Sequence, residues 1–483
     1  MSIFSLPSPY GIGTLGNEAY NFIDFLARSG QSWWQLLPVG PTSYGDSPYQ
    51  CPSAFAGNPY FIDLDMLVEE RLLKQSEIDA IDWGDDPEHV DYEHIYEVRL
   101  PLLEKAFQRG WRRDRENVLA FADENKWLSD YALFMALKKH FDMISWLEWP
   151  DEDIRLRKPK AVRFYRRKLS ADIRFHMYIQ YLFFRQWNAL RSYAHEKGIE
   201  IIGDLPIYVA LDSADVWAEP ENFQLDENNY PVEVSGVPPD YFSSDGQLWG
   251  NPLYDYDYMQ KDGFAWWIRR IDGAGKLYDV IRIDHFRGFE SYWAVPYGEE
   301  TARGGHWVKG PGMALISVLK GWFPDMRFIA ENLGYPTPEV AQLLRDSGFP
   351  GMKVLEFAFD HRDVSVHLPH TYSYNCICYS GTHDNNTLMG WKEEADPLDI
   401  RKARRYLGLN SREGFNWGMI RGGMGSVADI FIAQMQDYLE LGGEARMNTP
   451  GTLGENWKWR MKRGAATDAL AGKIAKITAL YGR

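Results

Sequence analysis

Four times along the chain an apolar, strand-like run stops at an acidic residue: EIIGD at Asp204, VIRID at Asp284, RFIAE at Glu331 and YSGTHD at Asp384. A parallel strand buried on both faces reads as a short Val/Ile/Leu/Phe run rather than an alternation. An ionised carboxylate at its end is costly to bury alone, so it must be paired or stand at an open end. In a (β/α) barrel all such ends converge on one rim, and that rim carries the chemistry. The recurrence therefore predicts an α/β chain, a (β/α)8 TIM barrel, with acids gathered at one face.

The order of segments agrees. Strand-like runs occur at 32–40, 200–209, 279–286, 327–334, 352–359, 375–384 and 444–450, seven in all, with helix-length amphipathic stretches between them, such as EAYNFIDFLARSG and YIQYLFFRQWNALRSYAHEKG. Alternating strand and helix implies a parallel sheet. At 483 residues the chain fits one catalytic barrel with insertions, 1–483. The insertions are a turn-rich rim loop (41–65), a charged helical subdomain (66–165) and a Pro- and Gly-punctuated active-site loop (211–262), no tandem repeat being visible.

Composition narrows the partners. A net charge of -16 argues against nucleic acid or an anionic membrane. No run of about 18 apolar residues exists, and the N-terminus lacks the basic and apolar regions of a secretory signal, so cytoplasm is the expected compartment. The three cysteines, Cys51, Cys376 and Cys378, show no metal-like grouping; the last two are expected to pack as small hydrophobes on one side of a strand. Aromatic residues reach 15% with 19 Trp, enough for some rings to line a groove as flat faces for sugars.

Each acid admits two readings. Arg282 and Asp284 lie two apart on a strand and share a face. They are a structural ion pair, or a nucleophile held ionised by a guanidinium. Glu331 exits a strand into a turn, as a general acid/base in a partly apolar mouth or as an acid stabilised by a helix dipole. His383 and Asp384 in GTHDN bind neighbouring sugar hydroxyls, or form an Asx turn. Three acids on separate strands favour the catalytic reading, and a spacing of about 5 to 5.5 Å between two of them is what a retaining double displacement requires. No HExxH or DxDxDG spacing points to a metal. No Walker A run or G-x-S-x-G elbow points to a P-loop or a serine hydrolase, so neither metal nor cofactor is expected.

The motifs SLPSPYGIGTLG (5–16), WWQLLPVGPTSYGDSPYQ (33–50), GDLPIYV (203–209), GVPPDYFSSDGQLWGNPLY (236–254), RIDHFRGF (282–289), AENLG (330–334), GTHDN (381–385) and NTPGT…NW (448–457) together resemble the 4-α-glucanotransferases. These are the amylomaltases or disproportionating enzymes, glycoside hydrolase family seventy-seven of the α-amylase clan, here in the shorter bacterial form. The resemblance implies Asp284 as nucleophile, Glu331 as general acid/base and Asp384 as transition-state stabiliser. It implies that Arg282 orients Asp284, that His383 binds the same sugar, and that Asp204 positions the site. Asp240, Tyr241 and Phe242 match a mobile loop on the acceptor side, Trp249 closes the donor site, and Tyr44, Ser47 and Tyr49 look like further glucan contacts. The implied substrates are α-1,4-glucans, maltooligosaccharides and glucose. A hydrolase of the same clan and an inactive glucan-binding product are the alternatives. One departure is expected to matter. Only Ile3 and Phe4 stand where the family has its first barrel strand, which predicts a missing or truncated strand and open edges beside it.

Overall fold

The computed structural model describes every residue except 240–242 and 335, and every described side chain except that of Tyr44. Eleven strands occur among the described residues: β1 (Trp33–Gln35), β2 (Glu200–Leu205), β3 (Glu233–Val237), β4 (Gln247–Pro252), β5 (Val280–Ile283), β6 (Ser291–Pro296), β7 (His306–Lys309), β8 (Arg327–Ala330), β9 (Gly351–Val354), β10 (Cys376–Tyr379) and β11 (Ile430–Ile432). Seven form one sheet in the order β1-β2-β5-β8-β9-β10-β11, every pairing parallel. This is a nearly closed TIM-type barrel.

Alternation along the strands separates two packing layers. Ile202, Val280, Ile329, Met352, Val354, Ile377 and Tyr379 pack together in the barrel interior. Their neighbours Ile201, Ile281, Ile283 and Phe328 face outward and join a continuous apolar cluster with Ile179, Phe183, Trp187 and Leu190 of the helix Ser170–Glu196. Cys376 and Cys378 alternate with the interior residues of β10 and are buried with Met419 and Ile420, as small hydrophobes do. Close approach dictates Gly203, where a Cβ would stand 2.0 Å from the Tyr278 ring.

The seam lies between β1 and β11, which are not paired with each other. Ile3 and Phe4 are buried but form no strand. The Trp34 indole donates to the Met1 carbonyl at 2.7 Å, and the Tyr379 hydroxyl donates across the interior to Gln35 Oε1 at 2.9 Å. A cavity of about 80 Å³ at this seam is lined by Met1 and Ser2, by Gln35 to Leu37, and by Ile432 to Gln434.

Two expectations are corrected. The seventh strand is Ile430–Ile432, not 444–450. The run EARMNTP instead closes a 3-10 turn at Gly443–Ala445, and its Arg446 and Asn448 hydrogen-bond the Asp384 segment. The segment 211–262 is more than a loop: β3 and β4 pair antiparallel and, with β6 and β7, make a four-stranded sheet in the order β4-β3-β6-β7. Between 66 and 165 the principal helices are Tyr92–Glu124 and Trp127–His140.

The run GIGTLG (11–16) has the spacing of a dinucleotide-binding turn but lacks its context. No strand precedes it, and the Asp63 carboxylate crowds Gly16 at the helix N-terminus, where a phosphate would need to sit. Among the described residues no helix is long and apolar enough to cross a membrane.

Candidate active site

The register of β2 and β5 builds the centre of the site. Asp204 lies directly opposite Arg282, and the two-residue period that turns Ile202 and Val280 inward also turns Asp204, Arg282 and Asp284 inward. Arg282 Nη1 therefore contacts both oxygens of Asp204, at 2.5 and 2.7 Å, and Asp284 Oδ1 at 3.1 Å. Asp204 and Arg282 are 2% and 3% exposed, so this pairing takes place out of water. Asp284 is less enclosed, its side chain 27% exposed. Burial pushes the Asp284 carboxyl up, the Arg282 guanidinium opposes that, and Asp204, Glu331 and Asp384 push it up further.

Glu331 follows β8, the strand beside β5, and shares the inward face of Ile329 two residues earlier. One carboxyl oxygen accepts the His285 backbone N–H at 2.8 Å and the other accepts the Leu333 N–H at 2.5 Å. Its plane is thereby fixed by backbone. His285 adopts a left-handed conformation (φ 49), which few non-glycine residues do, and this turn aims its N–H at Glu331. The buried His285 ring, with its pKa lowered to about 3 by burial and by Arg287, is neutral. Trp249 of β4 stands edge-on to it, ring centroids 4.8 Å apart.

The opposite wall comes from β10 and the segment 41–65. The Tyr49 hydroxyl donates to Asp204 Oδ2 at 2.7 Å and lies 3.0 Å from His383 Nε2. The Tyr49 and His383 rings stack at 5.2 Å, and Trp457 packs against both, at 5.7 and 5.8 Å. Asp384, its side chain half exposed, accepts from Asn448 Nδ2 at 2.6 Å, while Arg446 Nη2 donates to its carbonyl at 2.7 Å.

The structure thus brings Asp204, Arg282, Asp284, Glu331, His383, Asp384, Tyr49 and Trp249 to one rim. Ser47 is turned to local use, its hydroxyl accepting the Tyr49 N–H at 3.2 Å. Asp240, Tyr241 and Phe242 lie outside the described residues, as does the Tyr44 side chain. Sequence reasoning did not single out Arg446, Asn448 and Trp457 as site residues; the NTPGT…NW motif was the available signal. One grouping with metal-ligand geometry occurs among the described residues, Asp360, His361 and Asp399, and it includes none of these side chains. Its members are already engaged: Asp360 with Arg362 and His361 Nδ1 with Asp399, at 2.7 Å.

Comparison with known proteins bears on the family and the fold. A family model described as 4-alpha-glucanotransferase matches residues 1–467. The 4-alpha-glucanotransferase of Clostridium butyricum is 51% identical over 486 residues, covering 100% of both chains. That of Thermus thermophilus is 48% identical over 473 residues, 95% of this chain and 93% of the relative. The solved amylomaltase from Streptococcus agalactiae in complex with acarbose superposes with a TM-score of 0.98 at 44% identity, covering 100% of this chain and 98% of that one. With its whole length matched and its barrel rim assembled, the chain belongs to the 4-α-glucanotransferases of glycoside hydrolase family 77.

Proposed function

We propose that this 4-α-glucanotransferase moves α-1,4-glucan segments by a retaining double displacement at Asp284 and Glu331. The observation that carries the reading is their placement: two carboxyls on the adjacent strands β5 and β8, both turned to the rim, in different surroundings. Asp284 has a guanidinium beside it, and Glu331 has two backbone N–H groups that fix its orientation. Different environments for paired carboxyls are what separate a nucleophile from an acid/base.

In the first step Asp284 Oδ attacks the anomeric carbon, the glycosidic C–O bond breaks, and Glu331 gives its proton to the departing glucan oxygen. In the second, Glu331 takes the proton of an acceptor 4-hydroxyl as that oxygen displaces Asp284 from the anomeric carbon. Two inversions restore the α configuration. Asp384 and His383 hold hydroxyls of the sugar at the cleaved bond, and Arg282 with Asp204 orients Asp284. Tyr49 and Trp249 supply apolar faces to that sugar.

The glucosyl-enzyme partitions between water and a second glucan. The connection between β3 and β4, which includes Asp240, Tyr241 and Phe242, acts as the acceptor-side cover that excludes water and favours transfer. Product analysis on maltotriose tests this. Glucose together with a ladder of longer glucans is expected. Release of reducing ends from amylose as fast as maltotriose is disproportionated would refute it in favour of a hydrolase.

A further inference from the structure

The strand end that carries Glu331 is held unequally on its two sides. Towards β5, β8 pairs at four positions, from Val280 opposite Arg327 to Ile283 opposite Ala330. The ladder runs on past the strand: the Glu331 N–H donates to the Ile283 carbonyl and the Phe286 N–H to the Glu331 carbonyl, both at 3.0 Å. Towards β9 the pairing among the described residues is a single position, Ala330 opposite Gly351. A side chain makes up the difference. Asn332 Oδ1 accepts the Met352 N–H of β9 at 2.7 Å. Gly351 makes room for this approach, since a Cβ there would stand 3.0 Å from that oxygen.

The bond lies next to the acid/base. The Met352 side chain packs in the barrel interior, so the N–H that Asn332 holds belongs to the packed sheet. The peptide after Asn332 presents the Leu333 N–H, which donates to Glu331 Oε1 at 2.5 Å, while the His285 N–H donates to Oε2 at 2.8 Å. One donor to the carboxyl therefore comes from the β5 side. The other is placed by the residue anchored to β9. A general acid has to stand within hydrogen-bond reach of the oxygen it protonates, so the place of both donors matters.

We infer that Asn332 is a positioning residue: by tying the chain after Glu331 to β9, its side-chain carbonyl fixes the Leu333 N–H and so the orientation of the acid/base carboxyl. The inference rests on the reading of Glu331 given above. It gives the residue after Glu331 in the AENLG motif a part in proton transfer without contact with the reacting atoms. What the role requires is an acceptor oxygen, and Asn332→Asp keeps one.

Two substrates separate proton transfer from every other contribution. In a single turnover with enzyme in excess, cleavage of maltotriose needs Glu331 to protonate the departing glucan oxygen, whereas α-maltosyl fluoride releases fluoride without a proton. Asn332→Ala is expected to slow the first about tenfold or more and the second by no more than about threefold, with circular dichroism unchanged. A positioned acid contributes about a hundred- to ten-thousandfold, and small misplacements cost up to about a hundredfold. Asn332→Asp is expected to stay within about threefold of the parent on both substrates. If Asn332→Ala does not fold, Asn332→Leu, similar in size and without an acceptor, takes its place with the same thresholds. Equal losses on the two substrates, a smaller loss on maltotriose, or Asn332→Asp as slow as the variant without the acceptor overturns the proposal. Glu331→Gln, run in parallel, is expected to lose maltotriose cleavage and keep fluoride release. If it shows no such split, the assignment of Glu331 fails and this inference with it. A split in Glu331→Gln that the Asn332 variant lacks refutes the Asn332 role alone.

Discussion

Replacing Arg282 by Met removes the guanidinium that holds Asp204 at 2.5 and 2.7 Å and Asp284 at 3.1 Å, and leaves two inward carboxyls without their cation. Two unit charges about 4 Å apart at an effective dielectric of about 20 attract by about 4 kcal/mol. That energy corresponds to about three units of pKa. Asp284, already pushed up by burial, would lose the guanidinium that opposes this push, and the fraction carrying a nucleophilic carboxylate would fall, by about a thousandfold at most. Breaking a buried pair also costs stability, about 3 to 5 kcal/mol. For 483 residues, at about 2.1 cal/mol/K of unfolding entropy per residue, this lowers Tm by only about 4 °C. The variant should therefore be folded and nearly inactive. Glucose release from maltotriose, followed together with a calorimetric melt, checks both numbers. A folded Arg282→Met with kcat within tenfold of the parent would refute the claim that this cation keeps the nucleophile ionised.

Other side chains give sharper, smaller effects. Tyr49→Phe deletes the hydroxyl that bridges Asp204 and His383 while keeping the ring stack; a hydrogen bond to a charged group is worth about 1.5 to 3 kcal/mol, so kcat/KM for maltotriose should fall about 10- to 100-fold. His176 is buried on the helix Ser170–Glu196 with neither ring nitrogen hydrogen-bonded among the described residues, and burial, with Lys139, lowers its pKa from 6.5 to about 4. The folded state favours neutral imidazole. Its contribution is present above pH 6.5 and is lost as pH falls towards 4, by about 3 kcal/mol at most. Urea unfolding of the parent and of His176→Leu should converge or cross over that interval; parallel pH dependences would contradict the assignment.

The barrel strands were legible because strands buried on both faces leave uninterrupted apolar runs, and Asp204, Asp284 and Glu331 could be placed because each run ends at its acid. The pairing of Arg282 with Asp204 was not legible: it depends on the register between β2 and β5, 78 residues apart, whereas a single strand shows only the neighbour Asp284. Three-residue β11 was too short to register as a run, and EARMNTP, whose Arg446 and Asn448 serve Asp384 from 62 and 64 residues away, was mistaken for it. The β3–β4 pair within 211–262 was hidden by Gly236, a residue of β3 at a shift of register, and by Pro238, Pro239 and Gly246 in the connection between the two strands.

The central claim is that Asp284 bonds covalently to the sugar while Glu331 moves the proton. Incubating Glu331→Gln with a 5-fluoro-α-glucosyl fluoride, whose leaving group needs no acid, should accumulate the intermediate. Mass spectrometry of the protease-digested protein is predicted to find one glucosyl adduct, on the peptide containing Arg282–Asp284–Phe286, at Asp284. An adduct on another residue, or turnover to a β-anomeric product with no adduct, would contradict the account.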